Sequence, residues 1–357
     1  MRILRIGVIG VGSISNLHLK SYMANPRVEI VAMYDINAER ARDMASRYGA
    51  LRVYTTLGDL LSDPEIDAVS ICTWNDTHAD IAIASLEAGK HVLVEKPLSK
   101  TLEEAEAIAD AVNRTGKHLQ VGFVRRFSSN ATVLKSFIDA GELGEIYYAK
   151  ATYMNRIGNP GGWFADSARS GGGPLIDLGI HVLDLSWYLM GCPRATSVSA
   201  STFERLGNRA NVTSLSRYTV ADYDSSVSNV EDLAVAFVRF ANGSCLMLEA
   251  SYSLHASRDS LSISLYGEKG GADVEPELRI VSEQHDTIVN INPQVDHLSF
   301  NFDEGFEKEI NHFVLLCLGE AEPVAPVEHG VEVMRILSAV YESAARGHEI
   351  AIPRDGT

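Results

Sequence analysis

Positive charge is in short supply in this chain. Its 357 residues include 31 lysines and arginines against 47 acidic residues, a formal net charge of −16. That balance repels phosphate backbones and anionic lipid head groups, so neither nucleic acid nor a membrane surface is expected as a partner. Cysteine is scarce as well. Cys72, Cys192, Cys245 and Cys317 lie far apart with no CxxC pair, which argues against a cysteine zinc site or a disulfide framework and for buried thiols in a reducing, cytoplasmic setting. Long apolar runs are missing: nothing approaches the roughly 18 residues needed to span a bilayer. The opening MRILRIGVIGVG is too short for a signal-peptide core before it reaches a glycine turn. What is present is a chain 46% hydrophobic and 22% charged, with apolar material for two packed cores and too much for one small domain.

The first core announces itself by rhythm. Apolar strands at 3–9, 28–35, near 53, 67–73, 91–95 and 118–122 alternate with helical patterns at 15–24, 38–49, 77–89 and 101–116. Thr101 with Glu104 makes a capping box. This alternation predicts an α/β fold, a doubly wound parallel Rossmann sheet over residues 1–123, with a cofactor at the carboxyl ends of the strands. Past residue 123 the rhythm changes to long strands at 144–156, 194–202, 231–240, 243–254 and 259–267, some joined by short turns such as Ala241-Asn242-Gly243. Helices at 174–190 and 304–318 and a closing helix at about 328–346 complete the pattern. Residues 124–357 therefore read as an α+β domain with a large open mixed or antiparallel sheet. Segment 204–230, polar and rich in Ser and Asn, is predicted to be irregular.

Three sets of residues carry chemistry. Gly10 and Gly12 occupy the tight-turn and pyrophosphate-approach positions of a dinucleotide loop, with Ser15 where a third glycine or alanine is usual. Alone that fingerprint is weak. Here it follows a strand and precedes a helix whose first amides can hold an anion. Asp35 ends the second strand, where a carboxylate accepts from ribose hydroxyls and repels a 2′-phosphate, favouring NAD over NADP; a helix N-terminal role before Asn37 is the structural alternative. Lys96 falls just past the fifth strand, on the same rim as Gly10, Asp35 and the Thr73-Trp74-Asn75 turn. Most lysines are solvated surface residues, yet the apolar strand before this one and Pro97 after it hold it more rigidly than a surface role needs.

The third set follows a triple glycine. Pro174 can start a helix, and Asp177 and His181, four apart, then share one face. Beside an alcohol, His181 can take the hydroxyl proton while Asp177 binds substrate or supports the imidazolium. A core histidine capped by a carboxylate would show the same spacing. Asp184 is assigned to structure. No metal is expected, because Asp177, His181 and Asp184 lack a fourth ligand and no HExxH pattern is present.

Taken together, GVIGVGSIS, the block DAVSICTWNDTHADIAIASLEAGKHVLVEKPLSKT, GFVRRF at 122–127 and SGGGPLIDLGIHVLDLSWYLMG at 170–191 resemble the glucose-fructose oxidoreductase, inositol dehydrogenase and MocA (Gfo/Idh/MocA) family over nearly the whole chain. The resemblance implies a nicotinamide-binding domain followed by an open-sheet domain, oxidation or reduction of sugars and cyclic polyols, and catalytic positions at Lys96, Asp177 and His181. It also implies that Ser13, Ile14, Thr73, Asn75, His78 and Glu95 line the dinucleotide, that Arg125 lies beside nicotinamide and substrate, and that Asn155, Arg156 and Trp163 face the substrate. The family's Lys-Pro bond is often cis. Its open sheet packs face to face, so a homodimer or homotetramer is implied.

The expectation is an NAD-dependent dehydrogenase acting on a secondary alcohol of an inositol-like polyol or an aldose. In hydride transfer the cofactor carries the redox step, and the protein positions the carbinol carbon and removes one proton. Lys96 would stabilise the developing alkoxide. His181 is favoured over Lys96 as proton acceptor because an unperturbed imidazole titrates nearest neutrality. Two alternatives stand beside this: a non-catalytic dinucleotide-binding sensor, which would not need all three catalytic side chains, and a reductase of a non-sugar substrate such as a dihydrodiol, which the polar Asn155 and Arg156 disfavour.

Overall fold

The structure, a computed structural model, describes residues 2–220, 224 and 226–353. The chain divides into two compact units, one of Met1–Phe127 with Phe302–Val331, the other of Ser128–Asn301 with Glu332–Thr357. No helix among the described residues is long and apolar enough to cross a membrane.

The first unit is built on strands β1 (Leu4–Ile9), β2 (Val28–Tyr34), β3 (Arg52–Val53), β4 (Ala68–Ile71), β5 (His91–Glu95) and β6 (Leu119–Gly122). They pair in parallel in the order β3-β2-β1-β4-β5-β6. The strand order reverses between β1 and β4, which is where ligands bind in doubly wound sheets. Helices α1 (Ser15–Ala24), α2 (Ala38–Tyr48), α3 (Leu57–Ser62), α4 (His78–Glu87) and α5 (Leu102–Thr115) make the connections. Local chemistry explains their ends: Asn37 caps α2, Thr101 and Glu104 form the capping box of α5, and Gly49 and Gly116 close α2 and α5 in the left-handed conformation.

One helix is not where a single division at residue 123 would put it. Phe302–Cys317, expected in the second domain, packs in the first unit, burying Ile310, Phe313, Val314 and Cys317 with Leu4, Ile6, Leu19 and Tyr22. An apolar stripe at helical spacing shows that a face must be buried, not which core receives it. The return is tied down by Arg126, which is 1% exposed and donates to Val324 O and to His329 Nδ1, both at 2.8 Å. Burial, with the Arg126 charge beside it, pushes His329 down to about 4; burial, with Lys117 and His118, does the same to His91. Between about pH 6.5 and pH 4 the unfolded chain therefore binds protons that the folded chain refuses, and stability falls as pH falls through that window. His329→Gln should flatten that dependence, read as a smaller drop in urea midpoint between neutral and mildly acid buffer than in the parent. Equal drops would exclude His329 as a source.

In the second unit, strands β7 (Ile146–Met154), β8 (Ala195–Phe203), β9 (Leu233–Phe240), β10 (Cys245–Ser251), β11 (Ser260–Gly267), β12 (Gly270–Glu275), β13 (Arg279–Gln284), β14 (Thr287–Ile291) and β15 (Ile350–Ala351) form one sheet. Its order is β14-β13-β12-β11-β7-β10-β9-β8-β15, antiparallel except for the parallel β7/β10 pair. The helix Ile180–Leu189 packs on one face over β7, β10 and β11. Ala149, Ala236, Leu248 and Leu265 are buried, whereas Val235, Phe237 and Met247, at alternate positions, remain partly exposed. Among the described residues no helix or strand lies between Phe203 and Leu233, in line with the irregular segment expected at 204–230; residues 221–223 and 225 of that segment lie outside the described residues.

Candidate functional site

In the first unit the residues named from sequence gather at the carboxyl ends of β1, β2, β4 and β5. Gly10 leaves β1 at φ +81°, and its amide donates to Tyr34 O at 2.8 Å. A Cβ there would lie 2.7 Å from Thr73 Cγ2 and 2.8 Å from Cys72 O, so the loop can touch the β4 end only as glycine. At Gly12 a Cβ would meet nothing within 4 Å. The protein's own packing does not require that glycine, whereas a ligand backbone passing over the loop would. Ser15, the departure from the usual fingerprint, is fully buried and donates to Gly12 O at 2.7 Å, closing the loop from within. Ser13 is exposed and Ile14 half-buried at the start of α1, where no side chain caps the helix.

Asp35 is 7% exposed. One carboxylate oxygen accepts the Val11 amide at 2.9 Å and the other the Asn37 amide at 2.8 Å, which leaves acceptor capacity on both. Asn37 is the cap of α2, so the capping alternative for Asp35 falls to its neighbour. Arg40 approaches Asp35 at 3.9 Å and is half exposed.

Lys96 is the one partly exposed residue in an otherwise buried run from Val92 to Ser99, and the Lys96–Pro97 peptide is cis. Its backbone is braced twice. Glu95, 7% exposed, accepts the Lys96 amide at 3.2 Å on one oxygen and contacts His18 Nε2 at 2.8 Å with the other. His18 is fully buried and reaches Ser70 Oγ at 3.0 Å, which in turn meets Tyr22 OH at 2.9 Å. Burial opposes charge on His18, but the Glu95 carboxylate against its Nε2 outweighs it and raises the imidazole well above the usual histidine range. His78 is the second brace. It is fully buried, with Nδ1 at 2.7 Å from Pro97 O and Nε2 at 3.2 Å from Thr73 O, and burial lowers its pKa. Through these contacts His78 joins the loop after β4, and Glu95 the helix α1, to the turn after β5. Asn75 is buried in the short turn Asn75–Thr77, and Arg125, 4% exposed, in the turn Val124–Phe127.

In the second unit the triple glycine does not lead into a plain α-helix. Leu175–Gly179 is a π-helical turn, and the α-helix begins at Ile180. A π-turn takes more residues per turn than an α-helix, so residues four apart, such as Asp177 and His181, still fall near one face; such turns recur at functional sites. What marks the two residues is exposure. From Gly172 to Trp187 only Asp177, Leu178 and His181 are partly exposed. Tyr252, 1% exposed just past β10, donates to Asp177 Oδ2 at 2.8 Å; burial and the adjoining carboxylate raise the phenol well above its usual range, so it stays a donor. Asp184 is 1% exposed, in keeping with a structural role.

Asn155 donates its amide to Ser251 O at 2.9 Å. Arg156 lies beside Asp259, its Nε 3.3 Å from Oδ1, which occupies part of the guanidinium expected to face substrate. Trp163 is half-buried and stacked on Phe164 at 3.9 Å, on a segment tied to the irregular stretch through Val220 N to Pro160 O and Asn229 N to Ala165 O. No cluster of three or more metal-ligating side chains occurs among the described residues. His18 and Tyr252 were not singled out from sequence; each acts through a partner far along the chain, 77 and 75 residues away, so no local spacing could have flagged them.

A glycine loop at the strand-order reversal, an acidic end to β2 and a braced lysine past β5 define a Rossmann-type dinucleotide oxidoreductase. The family model described as "Oxidoreductase family, NAD-binding Rossmann fold" matches residues 4–123, and its companion, "Oxidoreductase family, C-terminal alpha/beta domain", matches 135–352. The chain belongs to the Gfo/Idh/MocA oxidoreductase family and is an NAD-dependent oxidoreductase. It is 31% identical over 352 residues to D-glucoside 3-dehydrogenase of Escherichia coli (strain K12), covering 98% of this chain and 97% of that one. It is also 31% identical over 314 residues to scyllo-inositol 2-dehydrogenase (NAD(+)) of Bacillus subtilis (strain 168), covering 87% and 84%. Among solved structures it is similar to levoglucosan dehydrogenase in complex with NADH and levoglucosan, with TM-score 0.85, 26% identity, and 99% and 100% of the two chains covered.

Proposed function

We propose that the protein oxidises a secondary hydroxyl of a sugar or cyclic polyol, an aldose, a pyranoside or an inositol, or reduces the corresponding ketone. The observation that carries this reading is the exposure pattern: Lys96, Asp177 and His181 are each partly open within otherwise buried runs, as side chains that meet a ligand must be. The relatives named above, which act on a glucoside, an inositol and levoglucosan by their names, support the substrate class.

NAD, when bound, accepts the hydride. The chain's residues do the rest. Gly10 and Gly12 allow the backbone to approach the pyrophosphate, with Ser13 and Ile14 presenting the start of α1, and Asp35 takes the ribose hydroxyls and disfavours NADP. Thr73, Asn75, His78, Glu95 and Arg125 complete the dinucleotide's surroundings, with His78 and Glu95 also holding the Lys96 turn in place. The Lys96 ammonium hydrogen-bonds the reacting oxygen and stabilises the alkoxide as it forms. His181 takes the hydroxyl proton, Asp177 fixes the substrate, and Arg125, Asn155, Arg156 and Trp163 choose among polyols. Four free cysteines fit a reducing, cytoplasmic setting. The partly exposed face bearing Val235, Phe237 and Met247 fits a sheet-to-sheet homodimer or homotetramer.

The test mixes the protein with NAD and a panel of D-glucose, methyl glucosides, levoglucosan, myo-inositol and scyllo-inositol, following the reduced-nicotinamide absorbance. Turnover with at least one member, faster with NAD than with NADP, is expected. Failure with every one, and with the matching ketones in reverse, would sink the substrate reading. Light scattering on the same sample reads the assembly, and a monomer would remove the sheet-to-sheet proposal.

A further inference from the structure

Behind the π-turn lies a buried carboxylate that the reaction as described does not use. Glu231 is 5% exposed; its Oε2 accepts the Gly173 amide at 2.9 Å, and its Oε1 accepts the Leu175 amide at 3.1 Å and the Tyr341 hydroxyl at 3.0 Å. Pro174 between them has no N–H, so one side chain takes both backbone donors of the stretch Gly173–Leu175. The Asp177 amide then bonds Gly173 O at 3.2 Å, on the peptide that lies between the two whose amides Glu231 accepts.

The approach is close enough to explain the glycines. A Cβ at Gly172 would fall 1.9 Å from Tyr341 OH, and one at Gly173 would fall 2.5 Å from Glu231 O. The neighbouring residue closes the arrangement from the other side: Asp232 O accepts the Tyr252 amide at 2.9 Å, and Tyr252 holds the Asp177 carboxylate. Glu231 and Asp232 thus secure both the backbone behind Asp177 and the phenol on its side chain. Burial raises the Glu231 carboxyl above its ordinary value, and the Gly173 and Leu175 amides and the Tyr341 hydroxyl oppose that rise.

We propose that Glu231, oriented by Tyr341, is a positioning residue that fixes the Asp177 turn for catalysis, an inference that rests on Asp177 meeting the substrate. Glutamine at this position keeps the shape but has a single acceptor oxygen, so one of the two backbone bonds must go. Misplacement of a catalytic turn by about 1 Å costs on the order of a hundredfold in rate.

Two measurements test it. Hydrogen exchange by mass spectrometry should show faster exchange over 172–181 in Glu231→Gln than in the parent, with the β-strands of the same unit unchanged; unaltered protection over 172–181 overturns the clamp whatever the substrate is. In turnover of D-glucose, scyllo-inositol and levoglucosan with NAD, Glu231→Gln should lose about a hundredfold in kcat while the NADH dissociation constant stays within twofold. Tyr341→Phe, the gentler variant, should lose several-fold. In an Asp177→Ala background neither change should cost anything further. Equal losses with and without Asp177 would show that Glu231 serves stability alone, and full turnover by Asp177→Ala would remove the site reading and the positioning role together.

Discussion

Replacing Lys96 by alanine is expected to lower kcat about a thousandfold while leaving NADH affinity within a few-fold. A charged donor on the reacting oxygen and a positioned proton-transfer group each contribute about a hundred- to several-thousandfold, and Lys96 is proposed as the first of these. Structure around it should survive the change. Glu95 grips the Lys96 amide, and His78 grips Pro97 O, so the turn is held by bonds that do not involve the ammonium. Fluorescence titration with NADH reads the affinity, and steady-state turnover of whichever polyol or sugar proves fastest reads the rate. A variant that keeps a tenth or more of the parent's kcat would take Lys96 out of the chemistry, and one that loses NADH binding in parallel would make it a cofactor anchor.

The glycine loop gives the second large effect, and the two glycines should fail differently. Gly10→Ala puts a methyl 2.7 Å from Thr73 Cγ2 and 2.8 Å from Cys72 O at φ +81°. The left-handed backbone alone costs about 1 to 2 kcal/mol for a non-glycine residue, and the contacts must push the loop away from the β4 end. Lower thermal stability and a loss of NADH affinity of about a hundredfold are expected together, the affinity because backbone approach to the pyrophosphate is lost. Gly12→Ala meets nothing within 4 Å in the protein. Its melting temperature should match the parent's, while NADH affinity still falls at least tenfold, because the methyl occupies the space the pyrophosphate needs. Unchanged affinity in Gly12→Ala would mean that the dinucleotide does not cross the loop there.

Much of this was readable in one dimension. The six parallel strands of the first unit sit within a residue or two of the apolar runs that predict them, because a strand buried on both faces needs a continuous apolar stretch and a turn at each end. Thr101 and Glu104 form the expected capping box, since that motif is satisfied within four residues. The second sheet was legible only in part. The patterning predicts β7 to β11 but not β12 to β14: β12 is short and opens on two glycines, and in RIVSEQHDTIVNI, which holds β13 and β14, the residues are largely exposed and the hairpin turns on His285 and Asp286 at positive φ rather than on glycine. The helix Ser129–Asp139, just past residue 123, is not predicted by the pattern.

Residues near one another in the chain specify the kinds of local structure and the glycine loop after β1, which is why both can be read from the chain alone. Long-range packing sets the rest. It sent the helix Phe302–Cys317 back to the first core, turned the start of the Asp177 helix into a π-turn, and recruited His18, Tyr252, Glu231 and Tyr341 across separations of 77, 75, 58 and 110 residues. The physical reason is common to all of them. Periodicity and caps state what a segment must bury or satisfy, whereas the partner that does so is chosen by the packing of the whole chain.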